Sequence, residues 1–369
     1  MWIMWIVIRG ITIVIGLAVA SGTLLSLSRH PHWLVRMWDF PRPHLAILAT
    51  LAGGGYAVLF STWAWAEWGF VLTQAACATW QCIKIFPYTP LAPLQVKQPL
   101  SPVTAAPLRL LITNVLMENR QSHLLLQVIQ ETDPDLILAI EIDPWWDIQL
   151  KPLERTYPYI IRWPQANYYG MALFSRLRLV DPQVKFLVQD DVPSIHTWVE
   201  LPSGQRFFLH GLHPRPPEPI RDQDATPRDA ELVLVGRAIG EDERPTIVAG
   251  DLNDVAWSHT TALFLRLSRL LDPRIGRGFY NSYNAHYPVF RFALDHVFHS
   301  ACFTLQALRR LAYIGSDHFP IYIELHYEPQ AQAEQQQPAA EPEQQREAQE
   351  KIDRAVEQEG PLTEPPRGG

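Results

Sequence analysis

Several apolar runs in this chain stop at side chains able to hold a cation or move a proton. They end at Asn114, at Glu141, at His213, and at Asp251 and Asn253 of "GDLND"; Asp295 lies within "ALDHVF", and Asp317 and His318 within "GSDHFP". Taken singly each corner is ordinary, since Gly, Asn and Asp are what strand-to-loop turns favour, and a lone histidine is more often packed or solvated than functional. Taken together they bring carboxylates, carboxamides and imidazoles to strand ends, where α/β enzymes keep their polar chemistry. Carboxylate and carboxamide oxygens suit a hard divalent cation, and the set as a whole suits a phosphate.

The elements that must position these residues are short. "LRLLIT" (108–113), "DLILAI" (135–140), "MALFS" (171–175), "RFFLHGL" (206–212), "TIVAG" (246–250), "LDHVF" (294–298) and "PIYIEL" (320–325) are apolar runs of strand length. "RQSHLLLQVIQE", "ATPRDAELVLVGRAIGE" and "AWSHTTALFLRLSRLL" have helical spacing. No repeat of fixed period is present. Asn119, His210 and His296 are more readily structural than functional, and Asp143 and Asp254 read as cap or turn residues. Trp145 and Trp146 fit either a membrane interface or the start of an amphipathic helix. Arg176 and Arg291 are candidates for contact with a polyanionic substrate, with exposed ion pairs as the equal alternative. Tyr280, in the loop "GRGFYNSY", is a candidate for a lipid or a base.

Charge divides the chain in three. Residues 1–100 hold six Lys or Arg against two Asp or Glu, and residues 328–369 hold four against ten, so the net −7 leaves −7 − 4 + 6 = −5 for residues 101–327. A protein that grips long nucleic acid by its phosphates usually shows a basic face, which weighs against DNA or RNA as the main substrate. Three cysteines, Cys77, Cys82 and Cys302, make no disulfide framework. "MWIMWIVIRGITIVIGLAVASGTLL", Leu45 to Thr62 and Phe70 to Ile85 are consecutive apolar runs, with tryptophans at the joint "WAWAEW". A span needs about 20 apolar residues, so residues 1–86 are expected to form three transmembrane helices in the bilayer. A Pro-rich linker follows over 87–107, then a folded domain over 108–327. Residues 328–369, rich in Glu, Gln, Pro and Ala, are expected to be a disordered acidic tail holding at most a short helix around 345–358.

The order of "LLITNV", "LAIEID", "YYGMALFSR", "LHGLHPRPP", "VAGDLND", "ALDHVF" and "GSDHFPI" resembles the endonuclease/exonuclease/phosphatase superfamily across residues 108–327. With the membrane region and the connector "PYTPLAP", the likeness narrows to membrane-anchored bacterial members, among them the teicoplanin-resistance-associated proteins that act on polyprenyl pyrophosphate. The resemblance implies a deoxyribonuclease I-like α/β fold, a four-layer α/β/β/α sandwich of two mixed sheets, here preceded by the three helices. It implies Glu141 as principal Mg²⁺ ligand with Asn114 beside it and Asp317 supporting the metal, Mn²⁺ being the other ion. Asp251 resembles the residue that orients or deprotonates water, Asn253 one that holds a phosphate oxygen, and His318 and His213 the phosphate-facing histidines. Asp295 resembles the carboxylate that fixes the tautomer and charge of His318. Where some relatives carry a further acidic ligand, this chain has Leu116.

The expected protein is therefore a membrane-anchored, Mg²⁺-dependent phosphoesterase acting on a lipid-linked phosphate or pyrophosphate by in-line attack of water. A nuclease is the alternative, and a non-catalytic membrane adaptor the alternative of another class; no protein partner is evident. The first loop, with Arg29, Arg36 and Arg42 against Asp39, favours a cytoplasmic domain by positive-inside counting. The family likeness and Arg9 near the start favour an extracytoplasmic one, which is the expectation adopted for this multi-pass protein.

Overall fold

The N-terminal helices follow from long, mainly apolar sequence, and α1 (Trp2–Leu27) has no acidic residue in its first turn and no basic residue in its last. The computed structural model describes residues 2–60, 64–99, 107–217, 224–242 and 244–366. These fall into two units, Met1–Ala92 with Pro217–Ala225, and Pro93–Pro216 with Thr226–Gly369.

In the first unit α1 is followed by the short α2 (Trp33–Arg36), then α3 (Arg42–Leu59) and α4 (Trp65–Ile85). Its polarity is inverted. Val58, Trp65 and Leu72 are 84%, 88% and 61% exposed, while Arg42, Gln74 and Gln81 are buried. Arg9 donates to the Tyr56 hydroxyl at 2.7 Å and to Glu67 at 2.9 Å, Gln81 donates to Thr23 Oγ1 at 3.0 Å, and Arg42 donates to Gln81 Oε1 at 3.0 Å. Among the described residues one helix, α1, is long and apolar enough to cross a membrane, where three had been expected. The two others are diluted by the polar groups just named, together with Lys84, and by the "GGG" of α3. The end of the second expected span, Ser61 and Thr62, lies outside the described residues, as does Trp63 at the joint.

The second unit contains two sheets. β1 (Leu108–Asn114), β2 (Leu136–Ile140), β3 (Tyr159–Trp163), β4 (Met171–Ser175), β10 (Phe303–Arg310) and β11 (Ile321–Tyr327) form one, in the order β10-β11-β1-β2-β4-β3. β5 (Arg178–Lys185), β6 (Ser194–Glu200), β7 (Arg206–Leu212), β8 (Thr246–Asp251) and β9 (Asp295–His299) form the other, in that order. Both are mixed: β1 and β2 pair in parallel, as do β7 and β8, and the remaining pairs are antiparallel. The inner faces meet through Leu110, Ile112, Leu138, Leu173, Leu209, Ile247 and Val297. α5 (Ser122–Thr132) and α6 (Pro144–Leu150) cover the outer face of the first sheet, and α7 (Thr226–Gly240) and α8 (His259–Ser268) that of the second, giving four layers. Burying each such side chain contributes about 1.5–3 kcal/mol. β3, β5, β6 and β10 were not expected from sequence, because they mix charged and polar residues with the apolar ones.

Two segments read as unstructured are not. Within the linker Val96 is fully buried, Lys97 N donates to Gln335 Oε1 at 2.8 Å, and Gln95 Oε1 accepts from Asp272 N at 2.9 Å. Residues 100–106 lie outside the described residues. In the acidic tail, α9 (Pro342–Glu359) buries Ala348 and Ala355 against α7 and α8. It is longer than the short helix expected, because even its sparse small side chains repeat at helical spacing.

Candidate active site

Strand direction explains why the corners converge. The parallel pairs β1/β2 and β7/β8 send Asn114, Glu141, His213 and Asp251 to one edge. β9 runs antiparallel to β8, with Asp251 opposite Asp295, so the start of β9 lies at that edge. β11 runs antiparallel to β1, with Ile112 opposite Ile321, which brings the preceding Asp317 and His318 there too.

Asn114 Nδ2 donates to Glu141 Oε1 at 2.8 Å and to Asp251 Oδ2 at 3.2 Å, and its Oδ1 accepts from Leu116 N at 3.0 Å. It therefore spaces the two carboxylates, leaving one lone pair of Oδ1 for an ion. At the position of the missing acidic residue, Leu116 turns the chain so that Met117 N donates to Glu141 Oε2 at 3.1 Å. Asn253 N donates to Asp251 Oδ1 at 2.9 Å. Leu116, Glu141 and Asn253 have φ of 57°, 64° and 51°. Such left-handed residues cost on the order of 1–3 kcal/mol each, and strain of this kind clusters at functional sites. Gly250 is demanded by its φ of 144° and by the Leu212 carbonyl oxygen, which lies 1.9 Å from where a Cβ would stand.

His318 Nδ1 is 2.7 Å from Asp295 Oδ2, and His318 Nε2 is 3.5 Å from Asp251 Oδ2. Burial alone would drive this imidazole neutral, but the carboxylates of Asp295 and Asp251 override it and raise its pKa to about 10. Tyr283 stacks at a tilt on the imidazole, with ring centroids 4.9 Å apart. Burial raises Asp251 to about 7, against the attraction of His318, and raises Glu141 to about 7 against its hydrogen bond from Asn114. His213, 4.0 Å from Asp251 through Nε2, is held neutral, its pKa lowered to about 3 by burial and by the charge of His318.

The donor set fits a hard divalent cation. Asp251, Asp295 and His318 place ligand atoms within 4.8 Å of one another, a group that could hold a metal ion. Beside them Glu141, with Asn114 and the half-buried Asp317 that raises Glu141 further, offers oxygen donors of the type a hard cation takes. Asp295 Oδ1, buried without a hydrogen-bond partner, adds to the unbalanced negative charge.

Asn253 Nδ2 donates to the Pro214 carbonyl at 2.9 Å, tying the "GDLND" corner to the "HPRP" turn. Arg176 follows the far end of β4, whose antiparallel pairing with β2 sets Ser175 opposite Leu136, away from the site; it pairs with Asp133 and lies over Tyr157. Tyr280, at φ 49°, lies beside Gly278 and acts on Arg277. Arg291 is nearer the site, over the Phe319 ring at 4.9 Å and donating to the Ala285 carbonyl at 3.2 Å. Asn119 bridges the Val115 and Ile314 carbonyls, Asp143 caps α6, and Trp146 is a core residue.

Sequence reasoning missed Ser282, which receives Asp295 N at 3.1 Å, and Arg228, whose Nη1 donates to the Asn253 carbonyl at 2.8 Å. Nothing local marks either one, although Arg228 stands in the first turn of a recognisable helix.

No curated protein matches the sequence. In three dimensions the chain is similar to D. rerio TDP2 humanized by 14 mutations, at 17% identity and TM-score 0.50, covering 60% of this chain and 100% of that one. It is similar to the human Nocturnin catalytic domain with bound sulfate anion at 18% identity and TM-score 0.50, covering 60% and 94%. D. rerio TDP2 complexed with single strand DNA product matches at 20% identity and TM-score 0.50, covering 60% and 100%. At these identities the likeness is one of fold. The sequence profile of the Endonuclease/Exonuclease/phosphatase family matches residues 112–318, from two positions before Asn114 to His318 itself. The chain belongs to the endonuclease/exonuclease/phosphatase family, whose members are hydrolases of phosphate ester and phosphodiester bonds.

Proposed function

We propose that this protein is a membrane-anchored, Mg²⁺-dependent phosphoesterase that hydrolyses a lipid-linked phosphate ester or pyrophosphate. The observation that carries the reading is the juxtaposition of a charged His318 between Asp295 and Asp251 with the oxygen donors of Glu141 and Asn114. A proton donor, a proton acceptor and a seat for a cation thus share one cleft.

Asp251, raised to about 7, accepts a proton from water near neutral pH while Asn114 and Asn253 hold its two oxygens in place. His318 donates toward a phosphoryl or leaving oxygen, and Asp295 keeps it charged. Buried and neutral, His213 contributes hydrogen bonding without adding charge. When bound, the divalent ion supplies Lewis acidity at a phosphoryl oxygen.

Two features support the membrane part. α1 is long and apolar enough to span, and the first unit has apolar side chains outside and paired polar ones inside, the polarity expected in lipid. All three long helices are therefore proposed to cross. An extracytoplasmic catalytic domain rests on the family likeness, since Arg9 is engaged by Tyr56 and Glu67; activity of a C-terminal cytoplasmic reporter would overturn it.

A nuclease is the second reading, favoured by the likeness to D. rerio TDP2 complexed with single strand DNA product. The test offers the full-length protein in vesicles a polyprenyl pyrophosphate and, separately, plasmid DNA. Phosphate release from the lipid without nicking supports the proposal; nicking with the lipid intact transfers the protein to the nucleases.

A further inference from the structure

α9, in the segment whose composition reads as a disordered tail, reaches the candidate site through a chain of buried charges. Glu347, Ala348, Lys351 and Ala355 form its buried face. Lys351 is 8% exposed and its Nζ donates to Asp229 Oδ2 at 2.6 Å, where Thr260 Oγ1 also donates at 2.9 Å. The other oxygen of Asp229 accepts from Arg228 through Nε at 3.1 Å and Nη2 at 2.8 Å. Arg228 then spends Nη1 on the Asn253 carbonyl at 2.8 Å, with Asp254 Oδ1 at 3.5 Å. Asn253 is the left-handed residue whose N–H holds Asp251.

We infer that Lys351, Asp229 and Arg228 are positioning residues, through which the C-terminal helix fixes the "GDLND" loop and the direction of the Asp251 carboxylate. The physical reason is charge balance. Lys351 and Arg228 carry two positive charges, Asp229 and Asp254 two negative, and all four are nearly inaccessible to water. A buried ion set is tolerable only when every member is paired. Without the Lys351 ammonium, Asp229 draws Arg228 toward itself, and the guanidinium no longer divides its donors between Asp229 and the Asn253 carbonyl. The strained Asn253 conformation then loses the hydrogen bond that over-determines it. This inference deepens the phosphoesterase reading and rests on it for its catalytic consequence, but the mechanical link stands on the geometry alone.

The test uses full-length Lys351→Met, Lys351→Arg and the double variant Lys351→Met/Asp229→Asn. It reads amide hydrogen exchange across 252–255, thermal midpoint, and kcat and KM on bis(p-nitrophenyl) phosphate. In Lys351→Met, exchange at the loop accelerates and kcat falls about two- to thirtyfold with KM little changed, the range expected for coupling through a packed network. Lys351→Arg retains both properties, and removing the uncompensated Asp229 charge in the double variant restores much of them. Wild-type exchange and kcat in Lys351→Met overturn the inference. So does a loss that the double variant fails to recover, which would reduce α9 to packing. Should the wild-type protein hydrolyse neither this diester nor polyprenyl pyrophosphate, the functional reading falls, while the exchange data still decide whether the brace exists.

Discussion

His318 Nδ1 and Asp295 Oδ2 lie 2.7 Å apart in a buried pair at the common edge of the two sheets. In sequence β9, the crossing to the other sheet, β10 and a loop lie between them; because β9 runs antiparallel to β8 and β11 antiparallel to β1, both residues come to the same edge. The pair keeps an imidazolium where burial alone would give a neutral ring.

Asp295→Asn removes the first carboxylate that raises His318. Activity that needs the charged imidazole is lost as pH rises through its pKa, about 10 in the wild-type protein. In the variant that loss begins at lower pH, and kcat at neutral pH falls roughly 10²–10⁴-fold. A pH–rate profile of both proteins checks this. The same raised pKa gives the fold a stabilisation fully present below the ordinary histidine value and lost as pH climbs through about 10.

Glu141 and Asp251 can bind a cation only as they ionise. Each has a folded pKa of about 7, above its ordinary value, so the stabilisation they give lies below about pH 4 and is lost as pH rises through 7. A divalent cation offsets that loss by binding the ionised forms. At a hundredfold excess over Kd, Mg²⁺ adds about 2.7 kcal/mol, which is roughly 5–10 °C in Tm for a domain of this size. The gain is larger at pH 8 than at pH 6, and Glu141→Gln removes most of it. Thermal melts with Mg²⁺ or EDTA at the two pH values measure the difference.

Gly250→Ala sets a methyl against the Leu212 carbonyl oxygen, on a backbone that disfavours any side chain. The parallel β7/β8 pair must part at the residue that precedes Asp251. Destabilisation of about 3 kcal/mol or more is expected, read from urea unfolding of the full-length protein in detergent.

Arg176→Ala leaves kcat and KM unchanged, because its Asp133 pair lies at the opposite end of β4. Its stability cost is about 1 kcal/mol at most, as for other exposed pairs. Arg291→Ala, beside Phe319 and the loop that carries Tyr283, is the informative contrast in the same assay.

The strands that end in chemistry were legible because each is a mainly apolar run that stops at a polar corner, as at Leu108–Asn114 and Thr246–Asp251. Strand direction was not. Nothing local distinguishes β4, which points its end away from the site, from β2, which points toward it, so the choice for Arg176 between a substrate contact and an ion pair was open in the sequence; here it pairs with Asp133. Asn253 was recognised as a corner residue, yet its amide partner is a carbonyl 39 positions away, at Pro214. The tail was misread because its buried face is made of two alanines, a glutamate and a lysine, residues that hydropathy does not count as a core. Arg228 and Ser282 were invisible for a related reason: each serves a backbone group or a carboxylate contributed by another part of the chain.

The measurement closest to the central claim is hydrolysis of bis(p-nitrophenyl) phosphate by the full-length protein, with Mg²⁺ or EDTA, beside its Asp251→Asn variant. The account predicts turnover that requires the ion and falls roughly 10²–10⁴-fold in the variant, with Tm retained. Turnover that persists in EDTA, or a variant as active as the wild type, would contradict it.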